Sequence, residues 1–316
     1  MAPDTIHQCP LCELRFAHRT ELSHHVAVDH PTAPDDDLPP PWRIDGLVTV
    51  PLDPAHATSP ALPVGVALAR QGGFGVELVA APAPGLPTAP YLTARHRDLA
   101  AAEVPTAPPR ELVGRPADAI VAHAAGGATR LLCLATHARG PLAARALGSV
   151  STDVVRRSPV PVVLVGPVVR RTGVPIRRVL VGIDGSLLAE QALEIAADLG
   201  ERLGADLELV EVATPMRTGG DVPAGADLRH AVESLATPPR SYEVLHGRDA
   251  ARVLADHAGT AGDTLLVVGT HGRTGVERAV LGGIALHLAR HAACPVLVVP
   301  RTAVPAPPLT DRGTRV

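Results

Sequence analysis

From position 178 onward, apolar residues fall into short continuous runs separated by stretches of helical periodicity. TLLVVG at 264–269 and PVLVV at 295–299 are nearly unbroken, the pattern of strands covered on both faces. The spacing predicts strands at 178–184, 207–212, 242–245, 264–269 and 295–299. After the first, Asp184-Gly185-Ser186 reads as a turn, with Ser186 placed to cap a helix. Leu188, Ala192, Ile195, Leu199 and Leu203 then recur on one helical face, with Glu190, Glu194 and Asp198 opposite. Two more helices are expected at 250–258 and 283–292. Strands alternating with helices predict an α/β fold built on a doubly wound parallel sheet. With strand order 3-2-1-4-5, the sheet reverses between the strands that end at Asp184 and Gly269. Ligands of such sheets bind beyond the carboxyl ends of strands at that point.

The same pattern occurs earlier in the chain. The run 48–53, VTVPLD, matches 179–184, VLVGID, at an offset of 131, which also places Leu62 on Leu193. LVGR at 112–115 matches LHGR at 245–248, and LGS at 147–149 matches LGG at 281–283. A slowly drifting offset is what duplication with small loop insertions leaves behind. Two tandem α/β domains are therefore expected at 45–168 and 177–301. A Pro- and Asp-rich linker (31–44) precedes them, and a Pro-, Thr- and Arg-rich tail (302–316), expected to be disordered, follows.

Candidate chemistry in the second domain centres on Val267-Val268-Gly269-Thr270-His271-Gly272, followed, after nine intervening residues, by Gly282-Gly283 at the start of a helix. Glycine lets backbone N–H groups approach a ligand, and a helix N-terminus attracts phosphate. This Gly-x2-Gly-x9-Gly spacing resembles the nucleotide-binding signature of the universal stress protein family. With the strand ending in Asp184 and the closing ARHAACPVLVV, the resemblance covers 177–300 and, more weakly, 45–166. It implies a five-stranded α/β domain that binds ATP. Asp184 would face the ribose or adenine, and Val212 would line the adenine pocket. Gly269 and Gly272 would shape the phosphate loop, and the N–H groups at Gly282 and Gly283 would hold phosphates. Position 283 is glycine where the signature has Ser or Thr, so one hydroxyl contact is missing. In the first domain Ala135 and Ala138 replace the loop glycines, while Asp53, Gly148 and Ser149 remain as a second candidate nucleotide site. The resemblance also implies that the two domains associate through their last strands, 160–165 and 295–299. Assembly into a homodimer is left open.

At the amino end, Cys9-x2-Cys12-x12-His25-x4-His30 has the ligand spacing of a C2H2 zinc finger, a small ββα unit at 1–30. Phe16 and Leu22 fall where such a unit keeps its apolar core, and His24 is a second candidate beside His25. So short a segment folds only with metal bound, and four protein ligands leave no open position for catalysis. By analogy His18, Glu21 and His24 would contact bases. Yet residues 1–30 carry two arginines against four carboxylates, with Asp35-Asp36-Asp37 beyond. Phosphate neutralisation supplies most non-specific DNA affinity. The charge therefore favours a protein contact or a structural cap over DNA.

Composition narrows the chemistry further. The 316 residues contain no lysine, which excludes a Walker-type lysine, a Schiff base and a lysine general base. The formal charge is −3, and no apolar run reaches transmembrane length, so a cytoplasmic protein is expected. Cys133 and Cys294 lie in apolar runs and read as buried thiols. No nucleophile–base pair stands out. His271 reads as a solvent-facing loop residue, an enzyme is not expected, and weak ATP hydrolysis is left open. The expected function is an ATP-binding stress-response sensor or regulator. The alternative is a zinc-finger adaptor on a nucleotide-free tandem scaffold.

Overall fold

The computed structural model describes residues 7–8, 14–16, 46–56, 58–81, 86–100, 104–136, 148–214, 225–259, 262–270 and 282–303. Two short strands at the amino end, β1 (His7–Gln8) and β2 (Arg15–Phe16), pair antiparallel, with His7 opposite Phe16. The expected ligands Cys9, Cys12, His25 and His30, with His24 and the linker, lie outside the described residues.

The first repeat runs β3 (Leu47–Pro51), α1 (Ala61–Gly72), β4 (Gly75–Ala80), α2 (Thr88–Ala100), β5 (Arg110–Glu111), α3 (Pro116–Ala124), β6 (Thr129–Ala135), α4 (Ser149–Arg157) and β7 (Val162–Val165). The second runs β8 (Arg178–Ile183), α5 (Leu187–Leu203), β9 (Asp206–Ala213), α6 (Ala226–Ser234), β10 (Ser241–His246), α7 (Ala250–Ala258), β11 (Thr264–Gly269), α8 (Gly283–His291) and β12 (Val296–Val299). Strands β3 to β12 form one ten-stranded sheet ordered β10-β9-β8-β11-β12-β7-β6-β3-β4-β5. Each half has the order 3-2-1-4-5 and is parallel throughout. The halves join antiparallel through their last strands, with Val296 opposite Leu164 and Val298 opposite Val162. That seam closes what would otherwise be two apolar sheet edges.

Alternating side chains divide the sheet between two cores. Val163, Val165, Val179, Val181, Leu297 and Val299 face α1, α2, α5 and α6. Val162, Leu164, Leu180, Val210, Val296 and Val298 face α3, α4, α7 and α8. Ser186 caps α5 by accepting a hydrogen bond from Ala189 N at 3.2 Å. The buried stripe of α5 differs in phase from the expected one. It runs through Ala189, Ala192, Leu193, Ala196, Leu199 and Leu203, leaving Leu188 and Ile195 half-buried at its margins. The domains are clamped by Gln71 on α1, whose amide donates to the carbonyls of Ile176 and Leu203 and accepts from Ile176 N. The chain stays docked past β12, where the tail was expected to begin. Thr302 Oγ1 donates to Ser158 O, and Ala303 O accepts from Gln191 Nε2. Residues 304–316 lie outside the described ones. Cys133 and Cys294 are buried free thiols, and burial pushes the Cys294 thiol up to about 11 and Cys133 higher still. Among the described residues no helix is long and apolar enough to cross a membrane.

Candidate functional site

The carboxyl ends of β8, β9 and β11 converge where the strand order of the second domain reverses. Ile183 sits opposite Glu211 in the β8–β9 ladder, so Asp184 and Val212 follow as neighbours. On the other side Val267 pairs with Val181, which brings Gly269 level with Ile183. Gly282 N donates to Thr270 O at 2.7 Å and so holds the start of α8 against the end of β11. Five of the six expected site residues, Asp184, Val212, Gly269, Gly282 and Gly283, thus lie at one end of the sheet. Gly272 and His271 are outside the described residues.

Their local roles differ in part from those expected. Asp184 Oδ1 accepts from Ser186 N at 3.0 Å and from Ser186 Oγ at 2.6 Å, which shapes the turn into α5. Its Oδ2 carries no hydrogen bond among the described residues and is open to a donor. Val212 is buried with Val210, Leu254 and Val268 on the α7–α8 face, so only its backbone reaches the strand end. Gly269 is required by packing as well: a Cβ there would lie 3.0 Å from Leu188 Cβ and 3.3 Å from the Leu188 carbonyl. The N–H of Gly282 is already bonded to Thr270, so it is the wrong group for a phosphate. Among the described residues the unbonded donors are one step further along. Gly283, Ile284 and Ala285 open α8, which has no side-chain cap. By contrast α5 and α7 are capped by Ser186 and Asp249. Beside these donors, Thr270 is 3% exposed, and among the described residues its Oγ1 has no hydrogen-bond partner. A buried hydroxyl left unpaired costs about 1–3 kcal/mol, which a bound oxygen would recover.

Next to Asp184, a small open cleft of about 50 Å³ separates the start of α5 from α6. Ile183, Ala189 and Ala231 form its apolar wall, and Glu190, Asp227 and His230 its polar one. Gly185 lies between them with φ 72°, and a Cβ there would meet the Asp227 carboxyl carbon at 2.4 Å. The buried Glu211 carboxylate accepts from Leu228 N at 3.2 Å and so fixes the first turn of α6. Asp227 and His230 belong to no motif; only the packing of α6 over the β8 turn reveals them. Among the described residues no group of three or more His, Cys, Asp or Glu is arranged to hold a metal.

The first domain repeats the framework, its α4 likewise without a side-chain cap, but its aspartate and threonine are satisfied internally. Asp53 Oδ1 accepts from Ala55 N at 2.9 Å, and Oδ2 pairs with His56 Nδ1 at 3.2 Å. The Tyr91 hydroxyl donates to His56 O at 3.0 Å, and burial raises its pKa, opposed by Arg95 and reinforced by Asp53. Thr136 Oγ1, the counterpart of the unpaired Thr270 hydroxyl, donates to Val165 O at 3.4 Å. Gly148 opens α4 with φ −59° and ψ 147°, close to the −58° and 147° of Gly282, and Ser149 beside it is exposed. Ala135 is half-buried and its carbonyl accepts from Ser151 Oγ, while Ala138 lies outside the described residues.

Residues 50–166 and 175–300 match the model of the Universal stress protein family. A universal stress protein of Mycobacterium tuberculosis H37Rv is 31% identical over 182 residues, which is 53% of this chain. The chain spans 61% of that protein's length. The crystal structure of a universal stress protein from Archaeoglobus fulgidus superposes with a TM-score of 0.60 at 19% identity, covering 81% of this chain and 98% of that one. The cytoplasmic domain of a prokaryotic cation chloride cotransporter superposes with a TM-score of 0.51 at 13% identity, covering 83% and 98%. Likeness at such identity shows a shared fold, and a fold alone names no function.

Proposed function

The chain belongs to the universal stress protein family, and from that premise we propose that its second domain binds an adenine nucleotide and serves as a cytoplasmic stress sensor or regulator rather than an enzyme. The observation that carries this proposal is the uncapped start of α8 beside the buried, unpaired Thr270 hydroxyl. Backbone donors and a positive helix end suit phosphate, and Asp184 Oδ2 suits a ribose hydroxyl. Adenine is the base implied by the glycine signature. One nucleotide per chain is expected, because Asp53 and Thr136 already have partners within the first domain. Calorimetric titration of the full chain with ATP and magnesium tests this. Saturable binding of one equivalent supports it, and absence of heat at millimolar nucleotide overturns it.

Gly283 supplies a second check. A Cβ at this position meets nothing within 4 Å among the described residues. Gly283→Ser therefore adds the hydroxyl of the family signature without strain. One neutral hydrogen bond of about 0.5–1.5 kcal/mol corresponds to roughly 2- to 13-fold tighter binding. The measurement is the dissociation constant of the variant against the parent.

A second proposal concerns the amino end. The antiparallel pairing of His7–Gln8 with Arg15–Phe16 supports a ββα zinc finger, since Cys9 and Cys12 fall in the segment that connects the two strands. Cys9, Cys12, His25 and His30 would hold zinc, and the unit would contact a protein partner. Native mass spectrometry of the full chain should find one zinc that Cys12→Ser loses. DNA binding that weakens with salt and disappears in Cys12→Ser would replace the protein contact with a DNA one.

A further inference from the structure

We propose that His287 and His291 on α8 form a surface chelate for a divalent transition metal of the zinc or copper class, a site separate from both the nucleotide cleft and the amino-terminal cysteines. The two residues are four apart on one helix, so their side chains rise from the same face. The ring centroids are 4.5 Å apart, with the planes tilted by 47°. Imidazole nitrogens bind zinc at about 2.0–2.1 Å, so two rings this close can share one ion. The same i, i+4 arrangement on a helix supplies both histidine ligands in the H-E-x-x-H class of zinc sites.

Three other described histidines are arranged differently: His56, His123 and His257 each lie against a carboxylate, of Asp53, Glu77 and Glu243 respectively. Neither His287 nor His291 has a hydrogen bond or ion pair among the described residues, and His291 is exposed. The duplicated domain offers an internal comparison. At an offset of 134, the counterparts on α4 are Asp153 and Arg157. Both are engaged in ion pairs, Asp153 with Arg156 at 3.3 Å and Arg157 with Asp118 at 2.7 Å. The second domain has neutral donors where the first has paired charges.

The site has two protein ligands, with water completing the shell. The residue after His287 is Leu288, where the hydrolytic motif has its glutamate, so no general base stands beside the metal. Arg290, next to His291 in the chain, opposes a bound cation and weakens the site. A chelate that spans one turn binds only the helical form of α8, so metal raises the thermal midpoint by mass action.

The test uses the full chain carrying Cys9→Ser and Cys12→Ser, so that the amino-terminal thiolates cannot compete. Titration with zinc sulfate by calorimetry should show a micromolar site, at least tenfold weaker in His287→Gln and in His291→Gln. The double variant H287Q/H291Q should bind at least as weakly as either single one, and its circular dichroism should match the parent. Unchanged zinc affinity in the double variant, or no binding in the parent below millimolar zinc, overturns the proposal. Both readouts are independent of whether a nucleotide binds.

Discussion

Asparagine at position 184 is expected to weaken ATP binding by about 10- to 100-fold while leaving the thermal midpoint where it was. The two expectations separate because the two oxygens of Asp184 do different work. Oδ1 holds the turn through Ser186 N and Oγ, and an amide oxygen can keep accepting both bonds. Oδ2 has no partner in the described structure, and in Asp184→Asn it becomes an NH2 group that cannot accept from a ribose hydroxyl. A hydrogen bond to a charged group contributes roughly 1.5–3 kcal/mol, which sets the size of the loss. Asp53→Asn is the matched control. Both Asp53 oxygens are engaged within the first domain, so the ATP affinity of that variant should equal the parent's. Calorimetry on the three proteins decides the matter. Equal affinity in Asp184→Asn would remove Asp184 from the site, and a loss in Asp53→Asn would place a working site in the first domain.

The sheet was legible because its signals are redundant. Unbroken apolar runs, a serine before a helical stripe and a repeat offset near 131 all point to the same order of strands. The phase of α5 was not, since an alanine-rich helix presents two adjacent stripes and only the packed sheet selects Leu193 and Ala196 over Leu188 and Ile195. Single polar residues in apolar strands were equally silent. Glu77 gives no sign in sequence that it is buried under His123, Arg110 and Thr49, which arrive from α3, β5 and β3. At the candidate site the glycine spacing pointed to the sheet end where the strand order reverses but left open what each glycine contacts there. Gly282 bonds Thr270, and Gly269 makes room for Leu188. Spacing records where the backbone must come close and leaves open whether a ligand or a helix is what it approaches. Asp227 and His230 depend on how α6 crosses the β8 turn, a tertiary fact without a local signature.

Gly166→Ala is expected to destabilise the protein by about 1–3 kcal/mol, with nucleotide affinity falling alongside. Gly166 follows β7 at the seam between the domains, and a Cβ there would stand 2.4 Å from the carbonyl oxygen of Ala289 on α8. Its φ is not in the left-handed region, so the cost is one of contact rather than of backbone conformation. The obstructing atom is main chain and cannot swing away like a side-chain tip. Ala289 is buried together with Leu288 and Ala285, so relief requires the whole of α8 to shift. Since α8 presents its first turn to Thr270, a shift that opens the seam also displaces the proposed phosphate donors. Gly283→Ala provides the contrast on the same helix: its Cβ enters open space, and stability should hold. At about 2–4 °C per kcal/mol for a protein of this size, thermal denaturation separates the two variants. An unchanged midpoint in Gly166→Ala would mean that the seam yields without cost, and then the first domain could not hold α8 in register with the site it serves.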